Sequence, residues 1–197
     1  MEGGELNQQR QARPLVLVVG MSGAGKTYLL SQLLGTDLGV GNSLKSETAF
    51  VSPFMWKPGE DISVQIVDSP GFNDTNMSDE ETFLVLSEWL TSAYRRGLSL
   101  NSIVLVYDIE QPRVPGTTRA FYRLIRELCG ESFYPNLMIL INKWNPDNHE
   151  EYSQRENELR SGEWKLFISN GAEVEFFTGT KEGLESIFMS AARNQKQ

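Results

Sequence analysis

The chain alternates between short apolar runs and longer segments in which apolar residues recur at helical spacing. Runs such as "IVLVY" at 103–107 and "LMILI" at 137–141 are apolar at every position. This pattern is typical of strands that are covered on both faces, as in a mostly parallel sheet between two layers of helices. We therefore predict an α/β fold with strands at residues 14–19, 49–56, 62–67, 102–108, 136–141 and 173–177.

The helices are predicted from the same spacing. Leu86, Leu90 and Ala93 recur at helical intervals within 79–96, which indicates an amphipathic helix packed on the sheet. Between the second and third strands, the turn-forming Pro58-Gly59 pair in "KPGED" predicts an antiparallel hairpin. The predicted helices are 26–34, 79–96, 117–129, 149–169, which Gly162 could interrupt, and 182–193.

Length and charge limit the classes of function. The 197 residues, 40% of them hydrophobic, are enough for one core. We predict a single domain at 14–193, a disordered polar arm at 1–13 and a short tail at 194–197. The net charge of −8 argues against unaided nucleic-acid binding, because a phosphate backbone requires a basic face.

Composition also limits cofactors and location. With one cysteine, Cys129, and one histidine, His149, a Cys/His zinc site is close to excluded. We interpret Cys129 as a buried small hydrophobe rather than a reactive thiol. The polar start carries no secretory signal, and no apolar run approaches the ~20 residues of a transmembrane segment. We therefore expect a soluble, cytoplasmic protein.

The stretch "GMSGAGKT" at 20–27 follows the first predicted strand and opens the first predicted helix. It matches the phosphate-loop pattern G-x-x-x-x-G-K-[ST] in full. Glycines let successive backbone N–H groups point inward at phosphate oxygens, and the helix N-terminus adds its positive end. Lys26 would contact the β- and γ-phosphates, and the Thr27 hydroxyl would bind Mg²⁺. The predicted nucleotide-binding residues here are Ser22, Gly23, Ala24, Gly25, Lys26, Thr27 and Tyr28.

A second signal, "IVDSPGF", ends the third predicted strand. Asp68 is placed to hold Mg²⁺, commonly through water, and Gly71 lets a backbone N–H approach the γ-phosphate. Upstream, Thr48 could complete the Mg²⁺ shell once the γ-phosphate is bound, with Ser46 as its competitor. We therefore predict Thr27, Thr48 and Asp68 as metal ligands and Lys26, Thr48 and Gly71 as catalytic residues.

A third signal, "NKWN", ends the fifth predicted strand. The usual guanine-reading pattern is Asn/Thr-Lys-x-Asp. In it the aspartate accepts from the guanine N1–H and 2-amino groups, and the lysine stem packs along the base. Asn142 and Lys143 match, but Asn145 replaces the aspartate and brings one NH₂ donor toward another. We expect weaker guanine binding, because a mispaired polar group costs ~1–3 kcal/mol. Gly179 and Thr180, after the sixth strand, could present backbone N–H groups to the base oxygen.

The order of these motifs resembles a GTPase G domain. The stretches "VVGMSGAGKTYLLSQLLG", "IVDSPGFNDTNMSDEETFLVLSEWLTSAYRRGLSL", "RAFYRLIRELCG" and "ELRSGEWKLFISNGAEVEFFTGTKEGLESIF" are similar to the immune-associated and septin-like branch. Within that branch they resemble G domains found in many fungal proteins. Those proteins place a tryptophan–aspartate pair after the fifth strand and a glycine–threonine pair after the sixth. The counterparts here are Trp144-Asn145 and Gly179-Thr180.

The resemblance implies a Ras-like three-layer fold with six strands, mostly parallel, and one antiparallel edge strand. It implies Mg²⁺-dependent binding of GTP and GDP, slow hydrolysis, and a homodimer in which two nucleotide-bound domains pair face to face. It also leaves open whether the chain is a minimal member or one piece of a longer protein.

The source of any catalytic group is the least determined feature. Many GTPases follow Asp-x-x-Gly with a glutamine that orients the attacking water, but Phe72 and Asn73 stand here. Asn73 is one candidate for that task. Arg113 is either a solvated loop arginine, which the sequence favours, or a residue that could reach the nucleotide of its own or a partner domain. The alternatives are a non-hydrolysing nucleotide-binding scaffold and an NTPase with relaxed base specificity. A small-molecule kinase is disfavoured, because no loop carries an arginine cluster.

Overall fold

The computed structural model describes residues 13–38, 51–111 and 115–194, except for the side chains of residues 115–118. Six strands form one sheet in the order β2-β3-β1-β4-β5-β6. Strand β2 runs antiparallel to β3, and the remaining neighbours are parallel. The strands are β1 (Leu15–Gly20), β2 (Ser52–Trp56), β3 (Val64–Asp68), β4 (Leu100–Asp108), β5 (Leu137–Asn142) and β6 (Glu173–Phe176).

Helices cover both faces of the sheet. They are α1 (Lys26–Leu34), α2 (Asp79–Arg95), α3 (Pro115–Cys129), α4 (His149–Ser161), α5 (Lys165–Ser169) and α6 (Lys181–Arg193). Two short 3₁₀ helices, Glu131–Asn136 and Pro146–Asn148, precede β5 and α4. The apolar faces of α1 and α6 pack on one side of the sheet, and those of α2 to α5 pack on the other. The predicted three-layer α/β sandwich is confirmed.

Strand β1 explains why the centre of the sheet reads as a continuous apolar run. Leu15, Leu17 and Val19 point into the core under α2 and α3, and Val16 and Val18 point into the core under α1 and α6. Because successive side chains alternate between faces that are both covered, no polar position is tolerated along the strand.

The boundaries of the elements agree with prediction within two residues where the structure describes them. Gly162 ends α4, as its position predicted. The predicted third strand is wrong at its start, because the Trp56–Val64 pair closes the hairpin and leaves Ile62 outside β3. Residues 49 and 50 of the predicted second strand lie outside the described residues, as do the arm and the tail except for Arg13 and Asn194. Among the described helices, none is both long and apolar enough to span a bilayer.

Candidate functional site

The parallel strands end together at one edge of the sheet. Gly20 of β1 lies beside Val106 of β4, and Asp108 lies beside Asn142 of β5. On the other side of β1, Asp68 ends β3. In sheets of this kind, ligands bind outside the carboxyl ends of the strands, next to the strand where the order reverses. The three predicted motifs therefore converge on one site.

The phosphate loop has the geometry that its glycines predict. Gly23 and Gly25 adopt φ of 77° and 91°, in the left-handed region that disfavours other residues. Gly25 is also the N-cap of α1, and the helix begins there without a side-chain cap. A Cβ at Gly25 would collide with the side-chain amide of Asn142. The loop thus presents backbone amides and a helix N-terminus, which together favour an anion.

Lys26 is buried beneath the loop. Its Nζ donates to the carbonyl oxygens of Gly20 at 3.1 Å and Met21 at 3.2 Å. Burial lowers the pKa of Lys26 to about 8, although the carboxylates of Asp68 and Asp74 act to raise it. A phosphate bound here would favour the charged ammonium, so burial and anion binding are coupled at this residue.

The predicted metal ligands Thr27 and Asp68 lie in contact. The Thr27 hydroxyl donates to Asp68 Oδ2 at 2.9 Å. Burial raises the pKa of Asp68, while Lys26, Thr27 and the Ser69 backbone act to lower it. Its other oxygen, Oδ1, is buried and has no hydrogen-bond partner in the structure. A carboxylate oxygen and a hydroxyl fit Mg²⁺, which takes few protein ligands and keeps its waters or substrate phosphates.

The other predicted ligand, Thr48, and its competitor Ser46 lie outside the described residues. Within the described part of the chain, no group of three His, Cys, Asp or Glu side chains could hold a metal.

The loop that follows β3 is docked on the phosphate loop. The Phe72 N–H donates to Gly20 O at 3.1 Å, and the Ser22 N–H donates to Phe72 O at 2.6 Å. Gly71 is pressed so close that a Cβ there would lie 2.7 Å from Ser22 Cα. Phe72 itself is fully buried, with its ring 5.2 Å from that of Phe121. The side chain after Gly71 therefore anchors the loop in the core.

Two polar side chains that sequence reasoning missed also reach the phosphate loop. Asp74 Oδ2 accepts from the Ser22 hydroxyl at 3.1 Å. Gln111 Nε2 donates to Ser22 O at 3.2 Å. Asn73, the predicted candidate for orienting water, is exposed, and its N–H donates to Asp79. For Asp74, the one signal in the sequence was its position close after Gly71. Arg113 lies outside the described residues.

At the base end, Asn142 joins the loop after β5 to the phosphate loop. Its Nδ2 donates to Ala24 O at 2.9 Å, and its Oδ1 accepts from the Lys143 N–H at 2.8 Å. Lys143 has a φ of 62°, which is uncommon outside glycine. Its ammonium donates to Gly23 O at 3.2 Å and to Asp108 Oδ2 at 2.6 Å. The base-reading and phosphate loops thus form one connected unit.

Asn145 lies at the rim of this unit. It is exposed, and its Oδ1 accepts from the Asp147 N–H at 3.0 Å, which begins the 3₁₀ turn before α4. The neighbouring Trp144 ring packs edge-on against His149, Tyr152 and Phe176. Packing therefore fixes the tryptophan position, whereas the side chain of Asn145 faces solvent.

The remaining predicted contacts lie at loop and helix starts. Gly179 has a φ of 86°, and Thr180 caps α6 by accepting from the Gly183 N–H at 3.2 Å. Tyr28 lies on the first turns of α1 and is 46% exposed. The backbone at 179–180 suits the predicted role.

The family model described as "50S ribosome-binding GTPase" matches residues 15–143 of the chain. The chain belongs to this GTPase family. The match spans the phosphate loop, the Asp68–Gly71 segment and the Asn142-Lys143 pair, so this member of the 50S ribosome-binding GTPase family is a GTP-binding P-loop G domain. A comparison with curated proteins finds none that matches the chain.

Solved structures share the fold of this family member. Toc33 from Arabidopsis thaliana in complex with Mg²⁺ and GMPPNP is 17% identical, with a TM-score of 0.70, over 98% of this chain and 90% of that one. A second structure is titled for the importance of dimerization to the GTPase activity of the chloroplast translocon components atToc33 and psToc159. It is 16% identical, with a TM-score of 0.73, over 98% of this chain and 88% of that one. Era from Aquifex aeolicus bound to GDP·AlF₄⁻ is 17% identical, with a TM-score of 0.65, over 94% of this chain and 58% of that one. At these identities the likeness establishes the fold alone.

Proposed function

We propose that the protein is a GTP-binding switch that requires Mg²⁺ and hydrolyses GTP slowly. The observation that carries this proposal is the docking of the post-β3 loop on the phosphate loop through the 2.6 Å bond from Ser22 N–H to Phe72 O. A terminal phosphate that binds beside Gly71 would act directly on this contact. Its arrival and loss would therefore change how the segment leading to α2 is held.

The Mg²⁺ requirement is supported by the Thr27–Asp68 pair and by the unpartnered Asp68 Oδ1. These residues would hold the ion, with Thr48 as the proposed ligand that responds to the γ-phosphate. When bound, Mg²⁺ supplies charge neutralisation and orientation of the phosphates. Lys26 supplies the buried positive charge beside them.

Slow hydrolysis is supported by the position of Phe72. The residue that follows Asp-x-x-Gly orients water in many GTPases, and here it is fully buried in the core. The same observation favours a second candidate, a nucleotide-binding scaffold that does not hydrolyse. In that case the bound nucleotide would only fix an interaction surface.

Relaxed base specificity is a further part of the proposal. Asn145 offers one acceptor and two donors, whereas guanine presents donors at N1 and the 2-amino group. Xanthine presents N1–H with a 2-oxo acceptor, which is complementary to an amide. We therefore include XTP, and more weakly ATP, among the ligands to be compared with GTP.

A homodimer across the nucleotide face is the proposed assembly, with Arg113 as the residue offered to the partner's nucleotide. It is supported by the resemblance to the immune-associated and septin-like branch, to which we propose the chain belongs. It is also supported by the titles of Toc33 structures of the same fold, one of them an arginine-to-alanine variant called dimerization-deficient.

Single-turnover hydrolysis of GTP over a series of protein concentrations tests the proposal. We expect slow phosphate release that accelerates as concentration rises, and we expect Arg113→Ala to remove the acceleration. A fast rate that is independent of concentration would contradict the proposal of slow hydrolysis, because it would mean that a single copy of the protein supplies its own catalytic group. No release over many hours, with GTP still bound, would favour the scaffold. Competition among GTP, GDP, XTP and ATP on the same protein measures the base preference.

A further inference from the structure

A buried carboxylate that no motif includes lies between the phosphate and base ends of the site. Asp108 is the last residue of β4, and only 2% of its side chain is exposed. Its Oδ2 accepts from Lys143 Nζ at 2.6 Å, and its Oδ1 accepts from the Glu110 N–H at 2.9 Å. Both oxygens are therefore engaged, one with a cation and one with the turn that follows the strand.

The partner of this carboxylate would otherwise have much freedom. Lys143 is 39% exposed and carries a long flexible stem on a backbone in the left-handed region. Its ammonium is held at two points, Asp108 Oδ2 and Gly23 O. Because Asp108 and Asn142 are register partners on adjacent strands, the carboxylate lies beside the start of the base-reading loop. The stem is consequently drawn across the gap between this loop and the phosphate loop.

A short charge-assisted hydrogen bond to a buried anion is the stronger of these two restraints. Both bonds have the charged ammonium as donor, but only the bond to Asp108 joins opposite charges, and it is shorter, at 2.6 Å against 3.2 Å. Neutralising Asp108 would leave Lys143 with the weaker restraint alone. The ammonium would then gain hydration by turning into solvent, and the stem would leave its place beside the base.

We propose that Asp108 is a positioning residue for the purine base, acting through Lys143. By fixing the ammonium, it holds the lysine stem in place before the nucleotide arrives, so that the stem forms one wall of the base site. This inference rests on the proposed binding of a guanine nucleotide. It predicts that the effect of Asp108 falls on ligands that carry a base and spares ligands that are only phosphate.

The test compares Asp108→Asn with the unchanged protein. The amide preserves the shape and the acceptor for the Glu110 N–H but removes the negative charge. Calorimetric titration with Mg²⁺–GTP and, separately, with Mg²⁺–tripolyphosphate separates base from phosphate binding. We expect GTP binding to weaken about tenfold while tripolyphosphate binding stays within about twofold. Glu110→Gln, an equal charge change on an exposed residue of the same turn, should leave both affinities unchanged.

A second pair of variants tests whether Asp108 acts through the lysine. Lys143→Met keeps an apolar stem and removes the ammonium, but it leaves Asp108 buried and unpaired, so this variant can fail to fold. The double variant with Asp108→Asn and Lys143→Met avoids that charge. We expect it to bind GTP within about twofold of Asp108→Asn alone, because the lysine no longer contributes once it is released.

The outcomes are distinguishable. Unchanged GTP affinity in Asp108→Asn would overturn the inference, as would an equal loss for GTP and tripolyphosphate, which would mark a general structural role. A large further loss in the double variant would show that Lys143 is positioned without Asp108 and would also overturn it. If the unchanged protein bound GTP no better than tripolyphosphate, the proposed function itself would fail, and this inference with it.

Discussion

The phosphate end and the base end of the site are built in different ways. At the proposed phosphate end, the structure offers backbone amides, two left-handed glycines and the buried Lys26. At the proposed base end, the candidate contacts are Lys143 and Asn145, which are both exposed side chains. Backbone geometry is fixed by the fold, whereas an exposed side chain can be exchanged with little effect on packing.

This difference explains where the sequence departs from the expected motif. A change in the phosphate loop would disturb Gly71, Phe72 and Asn142, which all touch it. A change at 145 disturbs one hydrogen bond to Asp147, which an asparagine makes as well as an aspartate. The phosphate end is thus constrained by its neighbours, and base preference can drift while triphosphate binding is retained.

Removing the buried charge is the most direct way to break the phosphate end. Lys26→Ala should weaken Mg²⁺–GTP binding by about a hundredfold or more, because the charge-assisted contacts of this buried ammonium with phosphate would be lost. Calorimetry on the folded variant measures the loss. Lys165→Ala, a change at an exposed residue that begins α5, is the control that should bind normally. Equal affinity in Lys26→Ala would remove the basis for the whole assignment.

Separating the two loops should give a smaller and more selective effect. A Cβ at Gly71 would lie 2.7 Å from Ser22 Cα, so Gly71→Ala must push the loops apart. We expect GTP affinity to fall about tenfold and GDP affinity to fall less, since we propose that this loop responds to the terminal phosphate. Titration with fluorescent analogues of both nucleotides measures the ratio.

Gly59→Ala is the matched control for this change. Gly59 lies in the hairpin turn with no atom within 4 Å of the added Cβ. The Gly59→Ala variant should bind GTP and GDP as the unchanged protein does. Parallel losses for GTP and GDP in Gly71→Ala would mean that the contact does not sense the terminal phosphate.

Placing a carboxylate at position 145 should sharpen the preference for guanine. Asn145→Asp should tighten GTP binding by roughly fivefold to tenfold and weaken XTP binding, because the donor–acceptor pattern then matches guanine. The Asp147 N–H keeps its acceptor, so the unfolding midpoint should not fall. Asn148→Asp introduces the same charge three residues away and should leave the GTP/XTP ratio unchanged. An unaltered ratio in Asn145→Asp would mean that the base is read by other groups.

The smallest effect of GTP is expected at Cys129, which serves as a reference outside both the phosphate end and the base end of the site. This partly buried thiol is the last residue of α3, and burial raises its pKa to about 12. A raised thiol pKa means less thiolate, so at pH 8 only about one molecule in ten thousand would be reactive. Labelling with a maleimide should be slow, should not change with GTP, and should become fast in denaturant. Rapid labelling of the native protein would contradict the burial of this thiol.

Local chemistry made much of the fold predictable. The bounds of α1 follow from "GKT" and Gly35, since a glycine-bounded apolar segment has clear start and stop signals. The hairpin of β2 and β3 follows from Pro58-Gly59, although its loop is longer than the turn itself. Ile62 is apolar and extended in pattern, but the register of the pairing strand leaves it outside β3.

Contacts between distant segments could not be predicted in the same way. Ser22 meets Asp74 and Gln111 across 52 and 89 residues of chain. Which polar side chains meet depends on strand order and register, and neither is encoded in the spacing of a motif. Asp108 belongs to none of the motifs, so the sequence alone did not single it out.

The close approach of Gly25 to the Asn142 amide has an evolutionary consequence. The two positions come from opposite halves of the chain, yet they share one small volume. Neither can be exchanged freely while the other is kept, so they should behave as a single heritable character. Because the left-handed φ of 91° at Gly25 disfavours a side chain even beside a smaller residue at 142, a change at either position should cost nucleotide affinity before it costs the fold.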